Sequence, residues 1–190
     1  VQRILKGELM RNRRKQSLKI TALGLFFILV CFLSYSSAMM IGMSTRKLTL
    51  ESELVIKGEV IDIVSQWTED RKAIFSIATI QVEEVVTGEY SKSTIEVSYD
   101  GGIVDGIGMK VSDTPSFNQG ETVILFLTPD LKLRKAQAYT VYGRAQGKYL
   151  IDQNNVARKR GFSIADNSEA IDNDLSADEL INKIRAYKNE

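Results

Sequence analysis

Between Ile20 and Thr45 the chain carries no charged residue, and directly before that run stands the basic cluster Arg11-Asn-Arg-Arg-Lys15. Twenty-six uncharged residues next to concentrated positive charge cannot share an aqueous surface with an ordinary domain, so this front end constrains the chain more than any other feature. Its most apolar part is formed by Leu23, Leu25, Phe26, Phe27, Ile28, Leu29, Val30, Phe32 and Leu33. A basic lead, an apolar core of roughly 7–15 residues and a small-residue cleavage site together define a secretory signal. Ser36 and Ala38 supply small side chains at the two positions signal peptidase reads, which predicts cleavage after Ala38. The rival is an uncleaved anchor, because residues 20–43 reach the roughly 20 residues needed to span a bilayer. Polar Ser34 to Ser37 interrupt the run where a cleavage region belongs and favour the signal. In both cases the basic cluster holds the N-terminus in the cytoplasm. The expected location of the rest is therefore extracytoplasmic, either secreted or anchored to the cytoplasmic membrane. A buried core helix fits this pattern less well, and a lipoprotein through Cys31 fits poorly because Val30 stands where a small residue is expected. The nine residues before Met10 read as an upstream extension, with Met10 giving a more ordinary start.

Charge divides the chain in the same place. Of 25 basic and 24 acidic residues, seven basic and one acidic lie in residues 1–38, which leaves 18 against 23 and a net charge of −5 for the remainder. The apolar fraction of 44% and the charged fraction of 26% are those of a globular protein, so the remainder is expected to fold. Its length allows one ordinary domain, residues 45–190, behind a signal or anchor of residues 1–38.

Two absences narrow the chemistry. There is no histidine, and the one cysteine, Cys31, lies in the apolar run. An internal disulfide is impossible, and so are Ser–His and Cys–His nucleophilic catalysis and any His-ligated metal. No cofactor or metal is expected, and the chain is read as a non-enzyme.

From Thr45 onward the pattern becomes one of short β runs. Thr49 is a candidate cap for a short helical turn through Leu54. Val55 to Val64 reads as a strand interrupted by Gly58 and Asp62, where a bend or bulge is expected. Residues 66–72 are polar enough for a hairpin loop. In Ile74 to Val86 the residues Ile74, Ala78, Ile80 and Val82 share one face, and Ile95, Val97 and Tyr99 alternate with polar residues. A long glycine-rich loop, Asp100 to Gly108, then leads past Pro115. Thr122 to Leu127 is almost continuously apolar and reads as the most buried strand, ended by Pro129-Asp130. Ala138 to Tyr142, Lys148 to Ile151 and Val156 to Arg158 follow as strands, the last two joined by a turn at Asp152 to Asn155. Ser176-Ala-Asp-Glu179 is a capping box with Leu175 and Leu180 placed for a hydrophobic staple, and Leu180, Ile181, Ile184 and Tyr187 give helix 176–188 an apolar stripe. The expected fold class is mainly β: a small OB-like Greek-key barrel with a C-terminal α-helix, preceded by an N-terminal hydrophobic signal or anchor helix.

Five segments in order resemble a widespread, poorly characterised family of exported microbial proteins: Leu54–Val60, Ile80–Gly88, Gly101–Gly108, Phe117–Leu127 and Ala145–Tyr149. The resemblance covers residues 48–163 and implies an OB or netrin-like module, a type also seen in tissue inhibitors of metalloproteinases. It implies no activity. Those inhibitors act through a disulfide-tethered N-terminal cysteine, and the chain after Ala38 has no cysteine, so protease inhibition does not carry over.

The candidate ligand- or partner-binding residues are Gly101, Gly102, Ile103, Val104, Asp105, Gly106, Ile107, Gly108 and Met109. The segment is not a phosphate loop: it lacks the Gly-Lys-Ser/Thr continuation and the third glycine of the dinucleotide fingerprint, and its glycines are better explained by positive φ. Its apolar residues either tuck into the barrel mouth or meet a partner. The acids Asp166, Glu169, Asp172, Asp174 and Asp178 match no register of an EF-hand loop and read as a solvated approach to a helix N-terminus. Arg158-Lys-Arg160 with Tyr142, Tyr149 and Phe162 is a weak electrostatic footprint in a domain of charge −5, so no nucleic acid is expected. Asp100 with Asp105, or Glu69 with Asp70, are the carboxylate pairs an enzyme would have to use. The sequence thus favours a non-enzymatic exported module that binds an extracytoplasmic protein or glycan and meets the membrane through its N-terminal segment. A membrane-tethered accessory subunit of an envelope complex is the alternative, and a carboxylate-dependent hydrolase comes last.

Overall fold

Ser44 caps helix α1, Thr45–Glu51: its hydroxyl accepts a hydrogen bond from the Lys47 amide. Thr49, expected to be the cap, instead lies inside the helix and donates its hydroxyl back to the Thr45 carbonyl at 2.8 Å. The structure, a computed structural model, describes residues 41–132, 138–162 and 172–190. The apolar segment Leu23 to Leu33 and the cleavage residues Ser36 and Ala38 lie outside the described residues. Among the described residues no helix is long and apolar enough to cross a membrane.

Five strands close a barrel. They are β1 (Leu54–Trp67), β2 (Ile74–Thr87), β3 (Thr94–Asp100), β6 (Thr122–Pro129) and β7 (Tyr139–Val141), hydrogen-bonded in the order β1-β2-β3-β7-β6, with β6 returning to β1. All contacts are antiparallel except β3 with β7. The inserted β4 (Gly102–Val104) and β5 (Ile107–Met109) form a separate two-stranded hairpin. After β7 a 3-10 turn, Arg144–Gly147, leads to β8 (Lys148–Ile151), β9 (Val156–Arg158) and β10 (Leu175–Ser176), which extend from the wall at β6. Helix α2, Ala177–Lys188, closes the chain, its N-terminus capped by Ser176 through the Glu179 amide.

Strand β1 is long because it serves two partners. Its first half, Leu54 to Glu59, pairs with β6 on one side and β2 on the other, and its second half continues with β2. The pairing with β2 shifts register between Lys57 and Gly58 and between Val60 and Asp62, where the sequence signals a bend. Gly58 is needed there, because a Cβ would overlap the Gln81 carbonyl oxygen.

The apolar run of β6 is explained by burial on both faces. Val123, Leu125 and Leu127 point into the barrel with Leu54, Ile56, Ala78, Ile80, Ile95 and Val97, whereas Ile124 and Phe126 point outward beneath the helices. That second core also contains Leu48, Val55, Tyr149, Leu180, Ile181 and Ile184. A strand buried on both sides reads as a continuous apolar run rather than an alternating one. Pro129 belongs to β6, paired with Tyr139, instead of ending it. It is tolerated because it sits at the last position of the strand, where one ladder donor fewer is not missed. The Ala138 to Tyr142 strand is shorter than expected, Tyr139–Val141, because Gly143 at φ 71° turns the chain into the 3-10 segment.

Candidate functional site

The glycine-rich segment is a built hairpin and not the long loop that the sequence suggested. Asp105 (φ 51°) and Gly106 (φ 79°) both occupy the left-handed region, so together they make the two-residue turn that matches strand twist. Asp-Gly between apolar residues was the available signal. Gly101 continues the β2–β3 ladder, its amide donating to the Ile74 carbonyl at 2.8 Å. Ser76 donates to the Gly101 carbonyl at 2.6 Å and lies 2.8 Å from the Ser65 hydroxyl. A Cβ on Gly102, at φ 141°, would overlap both serine hydroxyls, and one on Gly101 would sit 2.8 Å from the Met109 carbonyl oxygen. These two glycines let the chain cross close over the barrel end.

Cross-strand pairing sorts the apolar side chains. Gly102 faces Met109 and Val104 faces Ile107, so these four share the barrel side of the hairpin, with Ile103 opposite Gly108 on the other. The Met109 sulfur accepts from the Ile74 amide at 3.2 Å and fastens the hairpin to β2. Val104 and Met109 are half-buried, but Ile103 remains 71% exposed and Ile107, near the overhanging tip, 55% exposed. The segment therefore divides between anchoring residues and two exposed isoleucines.

Beside it lies a cleft of about 610 Å³ lined by the β1–β2 turn (Trp67, Thr68, Glu69 and Asp70), by Phe75 and by Lys132 from the connection after β6. Trp67 and Phe75 were not singled out from sequence, where residues 66–72 read only as a polar turn. The signal was present, since Trp67 is the sole tryptophan and sits at a strand end. Asp70 is held by the Thr68 hydroxyl at 2.6 Å and the Lys72 amide at 3.2 Å, and these hydrogen bonds keep its carboxyl below the usual aspartate range.

Lys132 also lines a second cleft of about 370 Å³ with Tyr99, Asp100, Thr128, Asp130 and Thr140. Two carboxylates face this cleft, but each is engaged. Asp100 pairs with the Lys132 ammonium at 3.1 Å. Asp130, only 5% exposed, accepts from the Ser98 hydroxyl at 2.5 Å and the Lys132 amide at 3.0 Å. Asp105 stands in the exposed hairpin turn, so Asp100 and Asp105 do not line one pocket as a pair. Glu69 and Asp70 do line the larger cleft together.

The C-terminal acids are spread among separate partners: Asp172 with Lys183, Asp174 with Arg158, and Asp178 with Asn155. Asp166 and Glu169 lie outside the described residues, among which no group of three potential ligands could hold a metal ion. The basic triplet also comes apart. Arg158 pairs with Asp152 and Asp174, and Arg160 is exposed. Lys159 points the other way, 7% exposed, its ammonium without a hydrogen-bond partner and 4.7 Å from the centroid of the Tyr149 ring. Burial drives the Lys159 amine down to about 7, against the pull of Asp172. Tyr149 is buried with its hydroxyl 2.9 Å from that of Thr45 and donating to the Asp172 carbonyl at 3.0 Å, and burial raises it well above the usual phenol range. Tyr149 therefore belongs to the core.

A comparison of the chain with protein-family models and with curated proteins finds no match in either.

Proposed function

We propose that this chain is an exported binding module without catalytic activity, working in the cell envelope or the secreted fraction. Its barrel is OB-like: a five-stranded Greek key in which β1 meets both β2 and β6, and β3 runs parallel to β7. The ordered motifs that resemble the exported microbial family support the same reading, and residues 1–38 supply the delivery to the membrane. One observation carries it. Ile103 and Ile107 stay exposed on a hairpin that two glycines, two serines and a methionine sulfur fix to the barrel end. Their side chains project from opposite faces of the hairpin near its tip, where a partner that grips the tip would cover both.

The domain is entered through α1, at the Leu54 end of β1, and the hairpin stands at the Trp67 end. A strand of 14 residues separates these ends by up to about 40 Å. That spacing suits a site presented away from the point where the preceding chain joins, which accommodates the membrane-tethered accessory subunit as well as the secreted module. N-terminal sequencing of the mature protein separates these two: a chain starting at Met39 has lost its tether.

The function is tested by affinity capture from the native envelope with the full-length chain and with Ile103→Asp/Ile107→Asp. Material retained by the first and lost by the second supports the reading. Equal retention by both, or none by either, overturns the assignment of the hairpin.

A further inference from the structure

The cleft next to the hairpin has a lining that discriminates between ligand classes, and its chemistry deepens the binding-module reading on which it rests. At about 610 Å³ it falls within the range of small-molecule and oligomer sites, roughly 300–1,000 Å³. Among the described residues, its apolar contribution is aromatic, from Trp67 and Phe75. An anionic ligand would meet Glu69 and Asp70, while Lys132, the one cation among the described lining residues, already pairs with Asp100.

Several polar side chains in the lining are not committed to the fold. Among the described residues, the Gln66 amide, the Trp67 indole N–H and the Glu69 carboxylate have no hydrogen-bond partner. Asp70 uses one carboxylate oxygen for both the Thr68 hydroxyl and the Lys72 amide, leaving Oδ2 with only the Lys72 ammonium at 3.7 Å. Donors and acceptors thus line the same cleft as the Trp67 indole. An uncharged ligand with a ring-like apolar face and a rim of hydroxyls satisfies all of them: the face covers Trp67, the hydroxyls donate to Asp70 and Glu69, and they accept from Gln66 and the indole. The second cleft, about 370 Å³, shares Lys132 with the first.

We propose that the Trp67 cleft binds a neutral oligosaccharide, with the indole as stacking platform and Glu69 and Asp70 as hydroxyl acceptors.

Because Trp67 is the only tryptophan, its emission reports on this cleft without a label. The full-length chain is titrated with cellohexaose, maltohexaose, laminarihexaose and chitohexaose, with oligogalacturonate as the anionic control. The expected result is a saturable change in emission with at least one neutral hexamer and none with the control. Calorimetry with that hexamer then shows affinity weakened about tenfold or more by Trp67→Ala, and by a similar factor in Glu69→Ala, an exposed position with no partner to lose on folding. Absence of binding by all four neutral hexamers overturns the ligand class, as does unchanged affinity in Glu69→Ala or preferential binding of the control. If the sugars fail while hairpin-dependent capture persists, only the ligand class falls. If both fail, the binding-module reading falls with it.

Discussion

At its Leu54 end β1 is covered on both faces, inward by the barrel core around Ile56 and Leu125 and outward by Val55 beneath the helices with Leu48 and Leu180. At its Trp67 end the same strand has a hydroxyl pair, Ser65 with Ser76, where the other end has aliphatic packing, and the neighbouring hairpin leaves Ile103 and Ile107 in solvent. Ile74 and Phe75 opposite Trp67 and Gln66 are buried, so what this end leaves uncovered is the pair of hairpin isoleucines. Stability and recognition are thereby assigned to opposite poles, and substitutions at the two poles should behave differently.

The largest expected effect is at the closed pole. Phe126 is fully buried, its ring centroid 6.2 Å from that of Tyr149, and Phe126→Ala should destabilise the fold by about 3–5 kcal/mol in denaturant unfolding. A loss below about 1 kcal/mol would mean that the second core contributes little.

Lys159 sharpens the contrast, since it is a charge buried in that pole. Its amine titrates near 7 in the folded protein and near 10.5 when free, so between these values the unfolded chain binds the extra proton. Stability from this group is fully present above pH 10.5 and is lost as pH falls through 7, because there the buried amine must carry its charge beside Tyr149 and Asp172. Lys159→Met should therefore stabilise the protein by on the order of 2–4 kcal/mol at and below pH 7, with the gain shrinking toward pH 10.5. Thermal unfolding of both proteins across that window measures it, and a gain independent of pH would remove the titration from the explanation.

At the open pole, Gly102→Ala should cost about 1–3 kcal/mol, because it adds a Cβ at φ 141° against two serine hydroxyls. Double substitution Ile103→Asp/Ile107→Asp should be the smallest, within about 0.5 kcal/mol by the same unfolding assay. If it destabilises as much as Phe126→Ala, the two isoleucines belong to a core and the contrast between the poles is lost.

Much of the frame is legible along the chain. The unbroken β6 run, the bend at Gly58, the β8–β9 turn and the Ser176 cap follow from period, turn chemistry and capping, all local effects. Thr49 illustrates the limit: Ser44 and Thr49 are both cap residue types, and only the position of Leu48 in the second core fixes where the helix begins. The hairpin differs from the expected loop because the Asp105-Gly106 turn signal is masked along the chain by four glycines in eight residues. The Trp67 cleft was not legible, since it joins the β1–β2 turn to Lys132, some 60 residues later in the chain.

By itself the sequence determined the charge division at the front end, the absence of histidine chemistry and the periodicities that make strands and one amphipathic helix. Tertiary structure alone decided that β6 serves two cores, that Lys159 turns inward while Arg158 and Arg160 do not share its surroundings, and that Gly102 clears a pair of serines while Gly101 clears the Met109 carbonyl. The reason is physical. Periods, caps and turns act over a few residues, whereas burial and close approach depend on which distant segment the closed barrel brings alongside.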